Sequence, residues 1–106
     1  MNVESCELGW YRPVSDLQIL AAVERAQRHG DRVFDYQVGE HLGLEHTSAN
    51  TRRLRPQLEA LRDADGSLAS ERWHRREIWT ITRRGRGRIA AARHRGVLEA
   101  LPESPQ

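Results

Sequence analysis

The sequence predicts an α+β domain built from three helices, a two-stranded hairpin and a final helix. Three observations carry that reading. Apolar residues recur at helical spacing between residues 15 and 63. The run EIWTIT, residues 77–82, changes to a period of two. Asp65-Gly66, a turn signal, separates the two patterns. With 106 residues, 38% of them hydrophobic and 30% charged, the chain suits one folded domain with a single modest core.

The elements follow in order. Residues 1–14 form an N-terminal segment without a clear period, closed off by Pro13. Ser15 and Gln18 make an S-x-x-Q capping box, which satisfies the first free amides of a helix. Ile19, Leu20, Val23 and Ala26 then lie on one face, and Gly30 supplies the stop for a helix over Ser15–His29. Asp31–Phe34 fits a turn or a short strand. Asp35 is placed to cap a second helix with Tyr36, Val38 and Leu42 as its apolar face, ended by Gly43, with Leu44 tucked beneath. Leu54, Leu58 and Leu61 mark a third amphipathic helix over Thr47–Asp63.

Pro56 lies inside that third helix. A proline removes one backbone bond and crowds the preceding turn, which predicts a kink or a break near Arg52–Arg55. Residues 67–73 and 77–82 read as two strands around His74-Arg75-Arg76. In the second strand Trp79 and Ile81 share one face, and Ile78 and Thr80 the other. Thr82 is placed to cap the last helix, with Ile89, Ala92 and Val97 turned inward and Gly96 as a stop. Residues 96–106 read as a flexible tail.

All 17 basic residues are arginine. Codon bias in a GC-rich genome explains this without any function, yet the planar guanidinium also suits phosphate and guanine edges. The net charge of +2 hides an asymmetry. Residues 1–46 carry four Arg and eight Asp or Glu, a net of −4; residues 47–96 carry thirteen and five, a net of +8. Such a basic stretch suggests a surface that faces a polyanion, nucleic acid first, with a solvated arginine surface as the plain alternative.

Several functions are excluded or disfavoured. No apolar run reaches the ~18 residues of a membrane span, and Met1–Arg12 lacks the pattern of a signal peptide. The single cysteine, Cys6, cannot form an internal disulfide, so a cytoplasmic location is expected. His29, His41, His46, His74 and His94 are scattered without CxxC or HxxxH spacing, so neither a metal nor another cofactor is expected. No catalytic motif surrounds any polar set, and no enzyme is expected. The glycines of RRGRGR match neither GxxxxGK[ST] nor GxGxxG. They read instead as the first turn of the helix that follows the strand.

Taken together, LGL at 42–44, the arginine-bearing third helix, LEAL at 58–61, a glycine turn and WTIT-x-x-G at 79–85 resemble the bacterial winged helix-turn-helix regulators of the MarR, PadR and ArsR types. The resemblance covers roughly residues 15–95 and lies in the order and spacing of these motifs. The stretch from LGL to Gly66 is about a turn longer than usual there. It implies a winged helix: a three-helix core, a hairpin wing and a C-terminal helix. It further implies a sequence-specific double-stranded DNA-binding protein, nucleoid-associated, that regulates transcription. Thr47, Ser48, Asn50, Thr51, Arg52, Arg53 and Arg55 would fall on the recognition helix in the major groove. Arg72, Arg75 and Arg76 would fall at or beside the wing tip, over the flanking backbone or minor groove. A homodimer enters as a partner because these regulators usually pair through terminal segments. Trp10 and Tyr11 fit either a cover for the core or such a contact. The alternative function is a winged-helix module that holds a protein partner and has no specific DNA target.

Overall fold

The computed structural model describes residues 14–30 and 32–102. Helices α1 (Asp16–His29), α2 (Asp35–His41) and α3 (Ser48–Ala60) come first, followed by a π-helical turn, Leu61–Asp65. Strands β1 (Leu68–Trp73) and β2 (Arg76–Ile81) form an antiparallel hairpin, and α4 (Arg83–Arg95) follows. The architecture is α+β, with the hairpin between the third and fourth helices.

Local signals decide most boundaries. Ser15 Oγ accepts from the Gln18 amide at 3.1 Å, and Gln18 Oε1 accepts in return from the Ser15 amide at 3.3 Å. This reciprocal pair starts α1. Thr82 Oγ1 accepts from the Gly85 amide at 3.1 Å and starts α4. Gly96, at φ 73°, ends α4 in the left-handed conformation that a side chain would resist. Gly43, at φ 81°, lets the chain reverse so that the Leu44 amide bonds Gly39 O at 2.9 Å and Leu44 is buried.

Two expectations from the sequence are corrected. Asp35 does not cap α2: Phe34 is the N-cap residue, and Gln37 Oε1 accepts from its amide at 2.9 Å. The Asp35 carboxylate turns inward instead. Of the kink or break expected at Pro56, the break is absent: the third helix is continuous over Ser48–Ala60. Arg52 and Pro56, whose mutual backbone bond is lost, both lie on the exposed face, where water can replace the missing amide. Irregularity falls later, in the π turn, where Gly66 at φ 77° and Ser67 both donate their amides to Leu61 O.

The core gathers Ile19, Leu20 and Val23 of α1, Leu54 and Leu58 of α3, Leu61, Leu68, Trp79, Ile81 and Ile89. Every member of that set is at most 5% exposed. Ile78, on the opposite face of β2, is also buried but stands outside this cluster. The hairpin is tied in at its base. The Trp79 amide donates to Val33 O at 2.8 Å, the Ile81 amide to Gln27 Oε1 at 2.6 Å, and the Thr82 amide to Ser67 O at 3.0 Å. Asp65 meets Arg88 Nη1 at 2.6 Å and also takes the Ser67 hydroxyl. Beyond Gly96, Val97 is 54% exposed rather than turned inward, while Leu98 and Leu101 pack against the core and Pro102 O accepts from Arg25 Nη1 at 2.6 Å. No helix among the described residues is long and apolar enough to cross a membrane.

Candidate functional site

The start of α3 and the tip of the hairpin face each other across an open cleft of about 520 Å³. One wall comes from Thr47, Ser48, Thr51, Arg52 and Arg55, the other from Arg75, Arg76 and Glu77. Phe34, Asp35, Tyr36 and His46 complete the lining. Four arginines therefore stand against two carboxylates, an excess of two positive charges.

Both carboxylates are already engaged. Asp35, 8% exposed, accepts from Trp79 Nε1 at 2.6 Å through Oδ1 and from Arg55 Nη1 at 3.0 Å through Oδ2. One side chain thus links α2, α3 and β2. Glu77 Oε2 accepts from Arg72 Nη1 at 3.0 Å, and Arg62 Nη1 lies 3.8 Å from its other oxygen. The Ser70 hydroxyl, then Arg72, hold the Glu77 carboxyl below the usual range, so it remains an anion at neutral pH.

The ten residues singled out from the sequence separate into three groups. Thr47, Ser48, Thr51, Arg52, Arg55, Arg75 and Arg76 meet at the cleft. Asn50 is buried, 5% exposed, and its Nδ2 donates to Glu45 O at 2.8 Å, which fastens the loop before α3. Arg53 is exposed but lies outside the lining; Arg72 is exposed and bound to Glu77. Within the first group the roles also differ. Thr47 Oγ1 caps α3 by accepting from the Asn50 amide at 3.0 Å, and the Thr51 hydroxyl donates to Thr47 O at 3.0 Å. Arg55 is held by Asp35 and Glu59. Ser48, Arg52, Arg75 and Arg76 are exposed.

The hairpin tip is a two-residue loop, His74-Arg75, with His74 at φ 57°, a left-handed conformation that costs a non-glycine residue ~1 kcal/mol. Arg76 turns back over the cleft, its guanidinium carbon 5.1 Å from the Phe34 ring centroid and 5.8 Å from that of Tyr36.

Phe34, Tyr36, His46 and Trp73 are the part of this surface that sequence reasoning misses. Helical spacing puts Tyr36 on the apolar face of α2, and nothing in it joins residues 34–36 to 73. Among the described residues no three His, Cys, Asp or Glu side chains gather as a metal ion would require. Cys6, Trp10 and Tyr11 lie outside the described residues. Comparison of the chain with family models, curated proteins and solved structures finds no match in any of the three.

Proposed function

We propose that this chain is a winged helix-turn-helix protein of the MarR, PadR and ArsR kind that binds double-stranded DNA and regulates transcription. The observation that carries the reading is the convergence of α3 and the hairpin tip on one cleft with an excess of positive charge. The element order, with a hairpin between the third and fourth helices, supports it. On this reading α3 enters the major groove, and Ser48, Arg52 and Arg53 approach phosphates and base edges. Arg75 and Arg76, at the tip of the wing, follow the flanking backbone or the minor groove. Asn50 and Arg55 hold the surface in place rather than read bases, since the fold already uses their polar groups.

Many other arginines are absorbed by internal ion pairs: Arg62 with Asp63, Arg84 and Arg88 with Asp65, Arg93 with Glu24. The cations left for phosphate are therefore fewer than composition suggests, and they include Arg52, Arg75 and Arg76 of the cleft. A salt titration with random duplex DNA tests the reading. Log affinity should fall linearly with log salt, by about 0.9 per phosphate neutralised. Site selection from a random pool should then return a preferred sequence. No binding to duplex DNA at low salt overturns the proposal and favours a winged helix that holds a protein partner.

A further inference from the structure

Four rings form a row: His46, Tyr36 and Phe34 line the cleft, and Trp73 adjoins Phe34 beyond it. His46 and Tyr36 lie 4.8 Å apart between centroids at 15°, Tyr36 and Phe34 6.0 Å apart at 16°, and Phe34 and Trp73 5.9 Å apart at 40°. Arg76 lies over Phe34 and Tyr36, and the Arg32 guanidinium carbon is 4.3 Å from the Trp73 centroid. None of the four rings belongs to the hydrophobic core cluster, and Trp73 is 36% exposed. The row is thus ring surface at the mouth of a cationic cleft, outside the hydrophobic core cluster.

Intact duplex DNA offers little to the faces of such a row. Its base faces are stacked inside the helix, and it offers a protein phosphates, sugars and base edges. An unpaired nucleotide offers a free base face and a phosphate together. Partly exposed rings next to arginines match both, and this pairing is how proteins hold single strands. A volume of about 520 Å³ lies within the ~300–1,000 Å³ of small-ligand clefts, so one nucleotide is accommodated.

We infer that the cleft between α3 and the hairpin is a site for an unpaired nucleotide of a nucleic-acid strand, its base on the Tyr36–Phe34 face and its phosphate toward Arg52 and Arg75. The inference rests on the nucleic-acid reading above. Arg76 covers the rings in the free protein and moves aside, or sandwiches the base, when a strand binds.

The test compares four probes by fluorescence anisotropy or by Trp emission at one salt concentration: a blunt duplex, the same duplex with a two-nucleotide gap, a single strand, and a free nucleoside monophosphate. The gapped duplex should bind about tenfold tighter than the blunt one. Tyr36→Leu should bring the gapped-to-blunt ratio toward one. His46→Ala, at an exposed position, provides the same readout if Tyr36→Leu does not fold. Equal affinity for gapped and blunt duplex overturns the inference and leaves duplex binding standing. Failure to bind any strand overturns both. A free nucleotide bound as tightly as the gapped duplex overturns the strand as the source.

Discussion

Two glycines two residues apart should respond to alanine with opposite signs. A Cβ built on Gly85 would lie 2.3 Å from Ser67 O and 2.7 Å from Ile81 Cγ1. Relief to an ordinary separation of about 3.5 Å asks the Ser67 carbonyl to retreat by about 1 Å. That carbonyl also accepts from the Thr82 amide at 3.0 Å, so the retreat weakens the bond that closes the hairpin base. Overpacking costs about 1–3 kcal/mol and the weakened bond about 1 kcal/mol, against at most ~1 kcal/mol gained from alanine in a helix. Gly85→Ala should therefore destabilise by about 2–3 kcal/mol, lowering Tm by roughly 8–20 °C. Gly87, exposed and with nothing within 4 Å of a Cβ, should gain about 0.5–1 kcal/mol as alanine, raising Tm by a few degrees. Thermal melts followed by far-UV circular dichroism measure both. If Gly85→Ala melts at or above wild type, the strand and α4 do not meet as described.

Trp79→Ala should cost about 3–5 kcal/mol, and Asp35→Ala, which strands the indole N–H and removes one of the two carboxylates on Arg55, about 2–3 kcal/mol; chemical denaturation measures both. Under the DNA reading, Arg75→Ala and Arg76→Ala should weaken binding to all sequences alike and flatten the salt slope by about one unit for each phosphate no longer neutralised. Replacing Arg52 or Arg53 should relax preference at one base position, a change of about 1–3 kcal/mol in competition assays. Asn50→Ala should lower stability instead. His41 is depressed to about 4, first by burial and then by Arg25 and His29. It is neutral when folded, while the unfolded chain takes up a proton near pH 6.5. Stability should thus fall as pH drops from about 6.5 to about 4, and His41→Gln should lose that part of the acid sensitivity in urea titrations.

What is legible in the sequence is local. Ser15 and Gln18, or Thr82 and Gly85, are three residues apart, so their bonds can be read as spelling. The leucines of α3 and the alternation at Trp79 and Ile81 expose the core because helix and strand impose fixed periods. What is not legible depends on distant partners. Asp35 and Trp79 are 44 positions apart, so a carboxylate that suits a cap turns out to be a buried acceptor. Asn50 resembles a base reader because the period of α3 does not say how far the loop before it wraps round its start. Pro56 argues for a break because the exposure of the carbonyl it orphans is set by packing. The row of rings joins α2, the loop before α3 and β1, and no spacing rule reaches across three elements.

The hairpin is buried at one end only. Leu68 and Ile81 at its base are in the core, while residues 71–76 at its far end are exposed and meet the rest of the chain through rings and guanidinium groups. Reach and fold are consequently separate variables in this molecule. Adding two residues to each strand beyond Glu71 and Ile78 keeps the base pairings and the facing of the tip side chains and carries Arg75 outward by roughly 6.6 Å. The charge of the far end can likewise be altered at exposed residues 71–76 without replacing any side chain of the core.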